Sequence, residues 1–157
     1  MRFSIVVAAA FALAPVAYAE ESGCPLLQRI VGGAPTGFVE LRDEELSAGW
    51  FESRIYLDDA DDCSVNIGDH NLFYCAWEFD APAPANDMVS AISEMATQCL
   101  SAWAFADTTG EKSSNNFVIL KGITLSGAGS DVGTQVSVFS ESVLGSQQSR
   151  VSIEVRR

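Results

Sequence analysis

Apolar residues recur along this chain with two periods, one close to 3.6 and one of 2, and the change from one to the other divides it into elements. Leu26, Leu27, Ile30 and Val31 follow Cys24 and Pro25 at helical spacing. They predict a short first helix, stopped by Gly32-Gly33 and Pro35. Phe38–Arg42 fits a short strand, and the charged run from Glu40 to Glu45 fits a surface turn.

From Trp50 the period becomes 2. Phe51, Ser53, Ile55 and Leu57 alternate with their neighbours and predict a strand, and Asp58-Asp59-Ala60-Asp61-Asp62 predicts a turn. Cys63, Val65 and Ile67 alternate with Ser64 and Asn66. Gly68-Asp69-His70 then suits a hairpin loop, and Leu72–Asp80 (LFYCAWEFD) carries the strongest strand signal in the chain. A three-residue loop pairs Ile67 with Asn71 and Cys63 with Cys75. Both cysteines then lie on one sheet face with Phe73, Trp77 and Phe79.

Pro82 and Pro84 end that segment, and Asn86 or Asp87 is placed to cap a helix over about Asp87–Phe105. Its stripe is Met88, Ile92, Met95, Cys99 and Trp103, widened by Ala91, Ala96 and Ala102. Thr108–Asn116 is polar and predicts a loop. Phe117–Leu125, a segment around Val136 and Val138, and Val151–Val155 predict three more strands, joined by a turn at Gly127–Ser130 and a polar connection at Gly145–Ser149. The order α-β-β-β-β-α-β-β-β, without repeats, predicts one α+β domain: an antiparallel sheet with two helices on one face. On this order Val151–Arg157 is a candidate sheet edge, blunted by Arg156 and Arg157 or open to a partner strand.

The amino terminus changes the picture of where this domain works. Arg2, the apolar run Ile5–Ala14, Pro15 and Ala17-Tyr18-Ala19 have the layout of a secretory signal peptide over residues 1–19, cut before Glu20. Gly23-Cys24 does not complete a lipoprotein signal, because Glu21 stands where an aliphatic residue is required. The 138 residues from 20 to 157 form a single secreted domain with no membrane anchor, periplasmic or released. Removing Arg2 takes the net charge from −12 to −13. Such an acidic surface repels nucleic acid and anionic lipid and suits a basic protein partner or a small ligand.

Four cysteines, Cys24, Cys63, Cys75 and Cys99, in an exported chain predict two disulfides. Three pairings are open. Equal heights along a strand and a returning helix favour Cys75–Cys99 with Cys24–Cys63. The crossed set Cys63–Cys99 with Cys24–Cys75 follows closely, and a cross-strand Cys63–Cys75 bridge comes third. No C-x-x-C occurs, so neither a redox motif nor a zinc pattern is present.

Candidate chemistry is thin. Arg29-Ile30-Val31-Gly32-Gly33 resembles the activation site of trypsin-like proteases, but no histidine or serine motif of that family accompanies it, and the chain is too short for its double barrel. His70, the sole histidine, sits at a hairpin tip where solvation explains it. Asp58–Asp62 lacks the glycine and distal glutamate of an EF-hand and reads as an acidic turn. Neither Gly32-Gly33 nor Gly127–Ser130 forms a phosphate loop. No cofactor or metal site is expected. Trp77 and Trp103 belong to the core, which leaves Trp50 and Tyr74 as a candidate ligand surface.

Cys63, then Tyr74-Cys75-Ala76-Trp77, then Cys99-Leu100 at the end of a helix resembles small uncharacterised proteobacterial periplasmic proteins. The resemblance spans Cys63–Leu100 and implies no activity. The element order also resembles the secretion-chaperone-like α+β fold, and fold alone does not carry function. The reading expected first is a non-enzymatic protein-interaction domain: an inhibitor, an immunity-like factor or an envelope-assembly subunit. A small-ligand binder using the sheet face opposite the helices comes second, and a small hydrolase third.

Overall fold

A computed structural model describes residues 23–68, 70–113, 117–142 and 148–157. The expected signal peptide, the centre of the Gly68–His70 loop and most of the Gly145–Ser149 connection lie outside the described residues. The fold is α+β. Two helices, α1 (Cys24–Gly33) and α2 (Pro82–Cys99), cover one face of an eight-stranded antiparallel sheet. The strands are β1 (Arg42–Ser47), β2 (Trp50–Ser53), β3 (Asp62–Ile67), β4 (Asn71–Phe79), β5 (Ala104–Asp107), β6 (Ile119–Ser126), β7 (Gln135–Ser142) and β8 (Ser149–Arg156). Across the sheet their order is β1-β2-β3-β4-β8-β7-β6-β5.

The β3–β4 hairpin has the register its alternation predicts, with Ile67 opposite Asn71 and Cys63 opposite Cys75. Beyond it the order departs from expectation. β8 is no edge: it lies between β4 and β7, paired along its whole length with both. Val151, Ile153 and Val155 are therefore buried on the helix face and Ser152 and Glu154 on the other. The edges are β1 and β5. β1 falls where a turn was expected, at Arg42–Ser47, and its run of acidic residues is the charge pattern that discourages further pairing at an edge. The preceding segment Phe38–Leu41, expected as a strand, is a turn. Gly37 and Phe38 both take left-handed backbone angles, φ 66° and 56°, and this drives the Phe38 ring into the core against Phe73, centroids 6.1 Å apart.

Helix α2 begins five residues earlier than expected and ends six earlier. Pro82 and Pro84 do not exclude it. They occupy the first turn, where the missing amide costs nothing. The buried line is Ala85, Val89 and Ala96, flanked by Met88, Ile92, Met95 and Cys99. Trp103 packs on the same core from the turn after the helix. Ala104–Asp107, expected as the helix end, is strand β5, paired with β6. Of the expected Phe51–Leu57 strand only Phe51–Ser53 is regular, within β2. Ser53 Oγ closes the segment by donating to Ile55 O at 2.7 Å.

The disulfides are Cys24–Cys99 and Cys63–Cys75, which corrects the favoured pairing Cys75–Cys99 with Cys24–Cys63. That preference assumed a helix returning over its own strand. Instead α2 packs chiefly over β6, β7 and β8, and its last turn meets α1. Cys63 and Cys75 stand 4.1 Å apart at Cα, as in the narrow, non-hydrogen-bonded pairs of antiparallel sheets, so each is the other's nearest partner.

The core is one cluster on the helix face. Leu26, Leu27, Ile30 and Val31 of α1 meet Phe38, Leu41, Val65 and Phe73, and the cluster continues through Val136, Val138, Val151 and Ile153. Ile30 is fully buried in α1, so the bond after Arg29 lies within a packed helix. Trp77 is buried, and its indole N–H donates to Asp58 O at 3.0 Å.

Candidate functional site

The sheet face opposite the helices is where polar side chains are buried without an apolar core to explain them. Alternation along the central strands places Ser64, Tyr74, Ala76, Ser152, Glu154, Ser137, Phe139 and Glu141 there. On an open sheet these positions would be solvated. Here Ser152 is 1% exposed, Glu141 3% and Glu154 5%. The face is shielded at both margins. On one side the β1–β2 hairpin brings Leu46, Ser47 and Trp50 beside it. On the other the chain after β5 shares a hollow of about 330 Å³ with Ser137, Phe139 and Arg156, reaching it through Thr108, Glu111 and Lys112.

Between the margins lies a cleft of about 560 Å³, within the range of small-molecule sites. Trp50, Leu72, Tyr74 and Phe139 supply apolar and aromatic walls. Ser64, Ser152, Asp62, Glu141 and Glu154 supply polar groups. Trp50 opens β2 opposite Asn66 and is 37% exposed. Tyr74 lies in β4 between Ser64 and Glu154, half-buried, and its hydroxyl accepts from Ser152 Oγ at 3.3 Å. The two aromatics that the sequence singles out thus line one cleft.

Three carboxylates line it and, among the described residues, no lysine or arginine does. Glu154 is ion-paired with Arg156 two residues on. Glu141 has Arg150 as its cross-strand neighbour, but the Arg150 Nε is taken by Glu78 Oε1 at 2.6 Å. Glu141 Oε2 is buried and has no hydrogen-bond partner, which is costly for a charged group. Burial pushes the Tyr74 phenol above its usual pKa of 10, and Glu141 and Glu154 add to the shift, against the Ser152 hydrogen bond and Arg150. A phenol with a raised pKa keeps its proton in the native state. Its contribution to stability is complete below pH 10 and is lost as pH rises above it. Tyr74→Phe is expected to flatten the fall in stability as pH rises above 10 and to remove a phase of phenolate absorbance at 295 nm that lies above pH 10. An ordinary titration of Tyr74 near pH 10 would contradict the assigned environment.

The other candidate residues lie apart from this cleft. His70 is exposed in the β3–β4 connection and does not line it. In the Asp58–Asp62 turn, Asp61 Oδ2 accepts the Glu78 amide at 2.8 Å and Asp62 faces the cleft. Among the described residues no group of three or more His, Cys, Asp or Glu side chains could hold a metal ion. Glu141 and Glu154 escaped the sequence reading because each is simply the polar member of an alternating strand. Only the central position of β8 and the flanking β1–β2 hairpin and post-β5 segment bury them.

No family model matches the chain, and no curated protein or solved structure matches it. The fold and the cleft define a disulfide-linked α+β domain with an eight-stranded antiparallel sheet and a hollow on its uncovered face. Its two disulfides are consistent with a non-cytoplasmic location. No helix of the described residues is long and apolar enough to cross a membrane.

Proposed function

We propose that this is a non-enzymatic binding domain of the periplasm or the secreted fraction, and that it holds a small organic ligand in the cleft on the outer sheet face. The observation that carries the reading is the burial of polar side chains around an aromatic-walled hollow: Ser152, Glu141 and Glu154 beside Trp50 and Tyr74. Apolar walls with a few convergent polar groups are the usual make-up of a ligand site. Binding is favoured over hydrolysis because Glu141 and Glu154 are offset by four positions in the β7–β8 register. Four residues along a strand is about 13 Å, so the two side chains do not stand directly opposite each other across the strand pair.

A fragment screen by 15N-resolved NMR tests this. Hits are expected to shift the amides of Tyr74, Ser152 and Glu154, and Trp50→Ala is expected to weaken them about tenfold, the loss of one aromatic wall. A library whose hits all fall elsewhere would overturn the reading. A protein-interaction role has a separate support in β5. That edge strand is exposed at every position, with Phe105 58% exposed, and an open edge is a template for a partner strand.

A further inference from the structure

From the charge and burial inside the cleft we infer that its ligand is a small organic cation, a primary amine or guanidine on an aromatic or aliphatic body, anchored by Glu141. This rests on the cleft being the binding site and adds the ligand's chemistry. The carboxylate side is complete on its own. Asp62, Glu141 and Glu154 line the cleft without a lining lysine or arginine among the described residues. Of the two nearby guanidinium groups, Arg156 pairs with Glu154 through Nη2 and Arg150 with Glu78 through Nε, and neither donates to Glu141 Oε2. What remains is Glu141, 3% exposed, with Oε2 buried and unpartnered.

The buried Oε2 lacks a donor, and a donor carrying a positive charge satisfies a carboxylate oxygen best. An ammonium or guanidinium supplies that donor. The apolar part of such a ligand has Tyr74, Phe139 and Trp50 to lie against, and the faces of aromatic rings attract cations as well. A carboxylate or phosphate ligand would meet Asp62 and Glu141 with no lining lysine or arginine among the described residues, and a neutral donor would satisfy Glu141 Oε2 without balancing its charge. A free small molecule is the occupant because the unpaired oxygen is buried and belongs to a cleft-lining side chain rather than to an exposed patch.

Phenethylamine, 2-phenylethanol and phenylacetate form a matched set of cation, neutral and anion, and the folded, oxidised protein is titrated with each by NMR. Phenethylamine is expected to shift amides around Glu141 and Ser152 with at least tenfold tighter binding than 2-phenylethanol, and phenylacetate to leave them unmoved. Glu141→Gln, which keeps the shape and removes the charge, is expected to abolish the amine preference while the spectrum stays folded. Glu141→Asp is expected to retain part of that preference. If the alcohol or the acid binds the cleft as tightly as the amine, or if the amine preference survives in Glu141→Gln, the cation assignment fails while the cleft stands as a binding site. If phenethylamine causes no shifts in the cleft at millimolar concentration although neutral fragments do, the assignment fails in the same way. If no fragment of any charge reaches the cleft, the underlying reading fails instead.

Discussion

Replacing Cys24 and Cys99 together by serine lowers stability by about 4 kcal/mol, the value that loop-closure entropy gives for a bridge between residues 75 apart. For a domain of this size the corresponding fall in melting temperature is about 14 °C. The bridge acts on the unfolded chain by tying α1 to the end of α2 across the whole β1–β4 segment. In the native state it closes the seam where the last turn of α2 meets α1, so the two effects have the same sign. The hairpin bridge Cys63–Cys75, only 12 residues apart, constrains the unfolded chain less, by about 3 kcal/mol on the same relation. Urea unfolding of the oxidised Cys24→Ser/Cys99→Ser protein measures the first figure. A loss under about 1 kcal/mol would mean that α1 is held by its apolar contacts alone.

The same contrast between local and long-range relations governs what the sequence reveals. The β3–β4 register is legible because alternation and loop length are local, and together they set Cys63 opposite Cys75. The class of fold is legible for the same reason, since each period is read within one segment. The position of β8 is not, because nothing in Val151–Arg157 says which strands flank it. At an edge Glu154 would face solvent; between β4 and β7 it is buried, as is Glu141 across from Arg150. Proline misled at α2 because Pro82 and Pro84 are equally at home ending a strand and opening a helix. β5 was hidden because its residues are all exposed and carry no alternation. Trp50 and Tyr74 could be singled out because neither falls on an apolar stripe, although Tyr56 and Phe105 also lie outside the core. That Trp50 and Tyr74 share a cleft follows from the pairing of β2 with β3 and β3 with β4, which no local pattern states.

Phe38→Ala is expected to cost 3–5 kcal/mol, as large as truncation of any core aromatic, although its segment is an irregular turn. The ring is fully buried, in contact with Phe73 and roofed by α1. The turn that delivers it is made for the purpose. The Gly37 and Phe38 amides donate to Ala34 O and Gly33 O, and Phe38 O accepts from the Leu41 amide at 2.9 Å. A non-glycine residue at φ 56° bears backbone strain of about 1 kcal/mol. Alanine keeps that strain and loses the ring, so the measured cost is packing alone. Glycine relieves the strain, so Phe38→Gly is expected to be no worse than Phe38→Ala, against the usual order of these two substitutions. A double-mutant cycle with Phe73→Ala is expected to return a coupling of about 0.5–1.5 kcal/mol for the ring pair. Denaturant unfolding of the four proteins decides the matter. Phe38→Ala within 1 kcal/mol of wild type would show that the turn is ornament on the core rather than a part of it.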